Sequence, residues 1–163
     1  MELKFRVFAN ISKPVHEVFE AVVDPDQLSS YFTTGGAKGR LDAGATVMWD
    51  FHDFPGAFPV QVVEVVPDER IVLEWAASEG EVNPDTGSPE VADGGYNTTV
   101  TMTFRPVDGD PGRTLVEIAE EGWRETESGL KASYGNCMGW SQMLAALKAW
   151  TEYGINLREG MYK

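Results

Sequence analysis

The run with most potential for proton chemistry comprises Asp50, His52 and Asp53. A histidine beside carboxylates can act as a general base or bind a metal ion. A metal site needs more ligands than this run supplies, and the sequence has no second histidine nearby and no HExxH, CxxC or EF-hand pattern. We therefore interpret the run as solvated side chains and predict no metal site.

The candidate nucleophile is the single cysteine, Cys137. It falls on the apolar face of a predicted helix, where a thiol behaves as a small, unreactive hydrophobic group. The Gly-x-Ser-x-Gly pattern is absent, and so is a glycine-rich phosphate-binding loop between a strand and a helix. The sequence thus predicts no catalytic residue and no cofactor, and it favours a protein that is not an enzyme.

Charged residues on predicted strands are the remaining candidates for acid–base work. Glu117 shares its strand face with Leu115 and Ala119, so it is the first candidate for a carboxyl inside a cavity. A buried carboxyl could anchor a ligand or have a pKa shifted by burial. A bulge would invert the facing, and we prefer the interpretation that these side chains lie on the solvated face. The other charged strand positions are Glu64, Glu74 and Arg113.

Aromatic and methionine side chains form the larger candidate site. Ligand pockets are mostly apolar with a few polar anchors, and methionine packs adaptably. The alternative is that these side chains fill the core, which aromatic residues commonly do. The side chains predicted to face inward and to bind a ligand are Phe32, Trp49, Phe51, Phe58, Trp75, Met102, Trp140 and Met143.

The elements that must position this set begin with a strand over residues 3–11, whose alternate residues are apolar. A helix follows Pro14, and a second helix follows Asp24, which can cap it. Alternating patterns then predict a series of strands. Their ranges are 40–41, 46–51, 58–66, 70–76, 99–104 and 113–120.

Residues 78–97 are rich in Glu, Asp, Gly and Pro, which predicts an exposed polar loop within a single domain spanning residues 1–163. The C-terminal third carries a helical stripe that includes Trp140, Leu144 and Leu147. Gly139 costs this helix about 1 kcal/mol relative to alanine, so we expect it at a close packing contact. Consecutive strands with segregated helices predict an α+β fold with an antiparallel sheet.

Composition excludes several function classes. The chain has 163 residues and a net charge of −13, which disfavours binding to nucleic acid. It contains no apolar run long enough to span a membrane, so no membrane insertion is expected. A single cysteine and an N-terminus unlike a secretory signal predict a cytoplasmic protein.

Four segments, in this order, carry a resemblance to a known family. Residues 11–19 and 24–32 resemble its opening strand-to-helix step and second helix, and residues 62–75 (VVEVVPDERIVLEW) resemble its strand-turn-strand. Residues 139–147 resemble its terminal helix. Together they are similar to the activator of heat-shock-protein-90 ATPase homologue family of the START-like (SRPBCC) superfamily.

This resemblance implies a helix-grip fold, in which a curved antiparallel sheet wraps a long C-terminal helix around an internal cavity. Superfamily members typically bind lipids, sterols, polyketides or other apolar molecules, and some are cyclases or hydrolases. The eukaryotic activator stimulates its chaperone with help from a separate N-terminal domain, and we expect no such domain in this protein.

Three hypotheses follow. The first is non-catalytic binding of a small apolar or amphipathic ligand in the cavity. The second is a protein-interaction module with a chaperone partner, which would link the protein to the stress response. The third is an enzyme of the cyclase or hydrolase kind. A homodimer is a further expectation for such domains.

Overall fold

The first third of the chain folds as a strand and two short helices in the computed structural model, which describes residues 1–79 and 95–162. Strand β1 (Leu3–Ile11) alternates, with Phe5, Val7, Ala9 and Ile11 packed towards the core and Lys4, Arg6, Phe8 and Asn10 facing outward. Helix α1 (Val15–Val23) and helix α2 (Pro25–Tyr31) follow. The Asp24 carboxylate caps α2 by accepting a hydrogen bond of 2.9 Å from the Asp26 amide. The cap and the proline after it explain why a new helix starts here.

The remaining strands form one curved, antiparallel, seven-stranded sheet with β1. Their order across the sheet is β1-β7-β6-β5-β4-β3-β2. The sheet is continuous across the polar segment predicted at residues 78–97, of which residues 80–94 lie outside the described part. The strands after α2 are β2 (Gly36–Lys38), β3 (Thr46–Phe51), β4 (Phe54–Val66), β5 (Arg70–Ala76), β6 (Asn97–Val107) and β7 (Asp110–Trp123).

Helix α3 (Glu127–Tyr153) lies across the concave face of the sheet, against β1 and β7. The Thr126 side chain caps its start by accepting from the Gly129 amide. Gly154 ends it with a left-handed φ of 69°, which glycine adopts without steric penalty. The predicted α+β, helix-grip architecture is therefore confirmed. Within the described residues, no helix has the length and apolarity needed to cross a bilayer.

The core lies between the inner face of the sheet and the helices. In the β6–β7 register, Met102 lies opposite Ile118 and Phe104 opposite Val116, and all four are buried. The same alternation places Val100 opposite Glu120. One carboxyl group therefore lies among the mainly apolar inward-facing side chains of these two strands.

The predicted strand at residues 40–41 is wrong. β3 pairs with β4 on one side and on the other with β2, which starts at Gly36 with a φ of 112°. Gly35 just before it donates from its amide to the Asp50 carbonyl, and a Cβ at Gly35 would lie 2.6 Å from Cγ of Asp50. The segment is too short to show an alternating pattern, and its strand conformation follows from pairing with β3.

Candidate functional site

A cavity of about 510 Å³ opens between strands β3 to β5, the first half of α3 and the segment that follows α3. Its wall is mainly aromatic, as is typical of sites for apolar ligands. The aromatic residues that line it are Phe32, Phe51, Phe58, Trp75 and Trp140. The polar and charged residues that line it are Asp53, Ser78, Glu79, Asn136 and Arg158.

The aromatic rings of the wall contact one another continuously. Trp140 lies 5.4 Å from Trp75 and stacks on Phe32 at 5.5 Å between ring centroids. Phe51 contacts Phe32 at 5.0 Å and Phe58 at 5.9 Å. Edge-to-face and offset contacts of this kind add to the energy of burial and limit ring motion. The wall is therefore a connected surface of rings drawn from the C-terminal cap of α2, from β3, β4 and β5, and from α3.

Two glycines on α3 leave room for the cavity. Gly135 and Gly139 are one helical turn apart and both line it. A Cβ added at either position would meet no atom within 4 Å. The expectation that Gly139 sits at a close packing contact is therefore wrong. The missing side chains keep space open beside Trp140.

Behind the wall lies a fully buried carboxylate, Glu120 on β7. Its Oε1 accepts hydrogen bonds from the Trp75 indole at 2.8 Å and the Thr98 hydroxyl at 2.7 Å. Its Oε2 accepts from the Trp140 indole at 2.8 Å. The Asn136 amide donates to both oxygens, at 3.0 and 3.2 Å. One side chain thus joins β5, β6 and α3 and fixes the orientation of both indoles.

The protonation of Glu120 is set by two opposing effects. Burial raises the pKa of the Glu120 carboxyl above its ordinary value of 4.5, because the charged form loses its hydration. Four side-chain donors, from Trp75, Thr98, Trp140 and Asn136, oppose this rise, and burial outweighs them. Indole N–H groups can only donate, so the cluster demands an acceptor at this position.

Sequence reasoning did not single out Glu120, but its preferred interpretation of Glu117 and Glu64 as solvated side chains is confirmed. The structure places Glu117 on the opposite face, 3.5 Å from the guanidinium of Arg6 and partly exposed. Glu64 likewise pairs with Arg70 at the surface. The signal that could have identified Glu120 is its parity with the buried residues Val116 and Ile118.

The second residue missed is Arg158, which follows α3 and is only 4% exposed. Its Nη1 donates to the Phe32 carbonyl at 3.1 Å. The guanidinium lies over three rings, 4.9 Å from Tyr162, 5.4 Å from Phe32 and 5.7 Å from Phe51. Its Nε has no hydrogen-bond partner among the described residues. The sequence after Gly154 has no periodic pattern, so nothing local indicated that this arginine is buried.

A sheet that curves around α3 and encloses a cavity on its concave side is an arrangement found in known proteins. A model of the family described as "Activator of Hsp90 ATPase homolog 1-like protein" matches residues 12–152. The chain belongs to this family. The resemblance inferred from the four sequence segments is therefore confirmed. No curated protein matches the chain significantly.

Solved structures share the fold of this chain at low sequence identity. SSP2350 from Staphylococcus saprophyticus has a TM-score of 0.71 and 19% identity, over 96% of both chains. The Aha1 dimer from Colwellia psychrerythraea has a TM-score of 0.66 and 18% identity, over 93% of this chain and 98% of that one. DynU16, a protein of the dynemicin biosynthetic locus, has a TM-score of 0.67 and 23% identity, over 93% of this chain and 48% of that one.

The side chains proposed as ligand contacts occupy two environments in this family member. Phe32, Phe51, Phe58, Trp75 and Trp140 line the cavity. Met102, Met143 and Trp49 are at most 1% exposed and lie in the core rather than along the cavity. Trp49 supports the wall from behind, with its ring 5.6 Å from Phe32 and 5.8 Å from Trp75.

The remaining sequence candidates lie apart from the aromatic wall or at its edge. His52 is exposed, and Asp53 borders the cavity as an exposed residue 4.0 Å from the Arg158 guanidinium. Cys137 is partly buried on α3. In the described part of the chain, no group of three or more His, Cys, Asp or Glu side chains could hold a metal ion.

Proposed function

We propose that this protein binds a small apolar or amphipathic molecule in the cavity without transforming it. The observation that carries this proposal is the aromatic wall held open around about 510 Å³ of space. A solid core would have closed this space with side chains, whereas Gly135 and Gly139 leave it free. Pockets of this size and apolarity bind drug-sized molecules.

The hydrogen bonding of Glu120 supports binding rather than catalysis. Both carboxylate oxygens already accept hydrogen bonds from protein donors, and Glu120 is not among the residues that line the cavity. A general base must reach the proton that it removes. Glu120 therefore acts as a positioning residue, which holds Trp75 and Trp140 in place.

Asn136 supplies a polar anchor in this proposal. Its amide nitrogen donates to Glu120, which leaves the amide oxygen as the acceptor that a ligand hydroxyl or N–H group can reach. Asn136 lines the cavity beside Trp75 and Trp140. A ligand would then combine stacking on the indoles with one hydrogen bond, as is typical of apolar pockets with few polar groups.

Thermal denaturation with a ligand panel tests this function. Fatty acids, flavonoids and sterols are added one at a time, and tryptophan fluorescence is recorded alongside. A ligand at about 100 times its Kd should stabilise the fold by about 2.7 kcal/mol and change the emission of Trp75 or Trp140. If no panel member raises the melting temperature and none is retained in native mass spectra, the proposal is wrong.

Chaperone stimulation is the alternative function, and membership of the Hsp90 ATPase activator homologue family favours it. Two exposed apolar side chains on α3, Tyr134 at 67% and Met138 at 62%, offer a surface for a protein partner or for a second copy. The ATPase rate of the chaperone is the measurement, with a Tyr134→Ser, Met138→Ser double variant as the control. Light scattering of the wild type and of the double variant, each without the chaperone, tests whether the chain forms a homodimer.

A further inference from the structure

Arg158 brings a buried positive charge to the cavity. Among the described residues that line the cavity, it is the one cation. A guanidinium carries five N–H donors. Within residues 1–79 and 95–162, only the Nη1 group has a hydrogen bond, to the Phe32 carbonyl at 3.1 Å. The buried Nε has no partner in the described part of the chain.

The two carboxylates that line the cavity do not fully neutralise the charge of Arg158. The nearest carboxylate oxygen is that of Asp53, at 4.0 Å from Nη2, which is beyond hydrogen-bond distance. The Asp53 side chain is 42% exposed, so water screens its charge. Glu79, the other acid that lines the cavity, already accepts hydrogen bonds from Tyr96 and Ser128. Neither carboxylate therefore forms a hydrogen-bonded ion pair with the Arg158 guanidinium.

Burying a charge without a full set of partners is strongly unfavourable, and a planar guanidinium pairs best with a carboxylate or a similar planar anion. The rings of Phe32 and Phe51 cover one part of Arg158 at 5.4 and 5.7 Å. Phe32 in turn stacks on Trp140. A continuous apolar surface therefore leads from the guanidinium to the two indoles.

We infer that the ligand of this cavity is an amphipathic anion, whose apolar body packs on Trp75 and Trp140 and whose carboxylate pairs with Arg158. The inference rests on the proposed ligand-binding function and adds to it a charge and an orientation. The competing explanation is structural. Arg158 would then serve only to attach the segment after α3 to the Phe32 carbonyl and to the ring of Tyr162.

A matched pair of probes separates these explanations. Anthracene-2-carboxylate and anthracene-2-carboxamide have nearly the same shape and differ in charge. Calorimetric titration of the wild-type protein at neutral pH should give a Kd for the acid about tenfold or more below that of the amide, as expected for a charge-assisted hydrogen bond. A ratio near one, with both probes bound, would overturn the anion inference and leave the proposed function standing.

Two variants test whether the preference for the acid over the amide depends on Arg158. Arg158→Gln should weaken binding of the acid about tenfold or more and change binding of the amide less than about threefold. Asp53→Asn removes the competing carboxylate and should tighten binding of the acid about two- to fivefold, with the amide unchanged. Circular dichroism verifies that each variant folds. Because Asp53→Asn leaves Arg158 intact, it keeps the inference testable if Arg158→Gln does not fold.

The outcomes distinguish the two proposals. Equal losses of acid and amide in Arg158→Gln, with no effect of Asp53→Asn, identify Arg158 as a structural residue and overturn the anion inference. If neither probe binds the wild-type protein and the ligand panel also gives no stabilisation, the proposed function itself is overturned. An acid preference that disappears in Arg158→Gln supports both.

Discussion

The Trp75 indole donates a 2.8 Å hydrogen bond to Oε1 of Glu120, which ties β5 to β7 directly behind the cavity wall. Trp140 makes the same contact to the other oxygen from α3. The rings that line the cavity therefore owe their orientation to a carboxylate that does not line it. The aromatic lining of the cavity and the buried carboxyl group of Glu120 are therefore structurally coupled.

Glu120→Gln should destabilise the fold by about 2–3 kcal/mol. An amide turns an NH2 group towards a set of donors, so at least one buried donor loses its acceptor. The matched control is Glu117→Gln on the same strand, which loses only a partly exposed ion pair with Arg6 and should cost less than about 1 kcal/mol. Urea unfolding of the two variants measures both values. Equal effects would show that the network adds no stability.

The titration of Glu120 should contribute to the pH dependence of the free energy of unfolding. Because burial raises the pKa of this carboxyl in the folded state, the folded protein holds its proton to a higher pH than the unfolded chain does. The contribution from Glu120 is therefore fully present below the ordinary value of 4.5 and is lost as the pH rises through the folded pKa. Glu120→Gln lacks this titration.

The measurement is the difference in unfolding free energy between wild type and Glu120→Gln across the acid range, with Glu117→Gln as the control. We expect the wild type to lose part of its advantage as the pH rises from below 4.5. A difference that grows with pH would mean that the hydrogen bonds, rather than burial, determine the pKa of Glu120.

The Arg40–Glu20 pair should show the opposite sign. Arg40 donates to both oxygens of Glu20 at 2.9 and 2.8 Å, and these hydrogen bonds lower the pKa of Glu20. The stability from this pair is present above 4.5 and is lost as the pH falls through the folded pKa. Arg40→Met should cost at most about 0.5–1 kcal/mol at neutral pH, because both side chains are partly exposed. A carboxyl NMR titration should show a higher pKa for Glu20 in the variant, and an unchanged pKa would contradict this account.

Gly139→Ala should stabilise the fold by about 0.5–1 kcal/mol. Alanine removes the helical penalty of glycine, and its methyl group enters open space. A thermal melt gives the change. Loss of stability would mean that the space beside Gly139 is filled, and would contradict the cavity.

Sequence patterns predicted most of the fold because the inward faces of the long strands are mostly apolar. The alternation of Val100, Met102 and Phe104 is an example, and each of these residues is buried. The capping signal at Asp24 likewise predicted the start of α2 correctly. Strand β2 was missed because its three residues, Gly36–Lys38, are paired through β3 rather than by a pattern of their own.

The candidate site was predictable only in part. The aromatic lining follows from face assignment, whereas Glu120 and Arg158 do not, since a charged residue is ordinarily assigned to the surface. Glu120 is buried because four donors from three other elements converge on it, and such convergence is tertiary. Arg158 is buried because the segment after α3 lies back against Phe32.

The most direct test of the central claim is calorimetric titration of the neutral probe anthracene-2-carboxamide into wild type, Gly139→Leu and Ala145→Leu. Gly139→Leu places a side chain in the cavity, whereas Ala145 is exposed on the same helix and serves as the matched control. We predict that wild type and Ala145→Leu bind with Kd values within about twofold, and that Gly139→Leu binds more than about tenfold more weakly. Equal binding by all three proteins, or no binding by the wild type, would contradict a ligand site in this cavity.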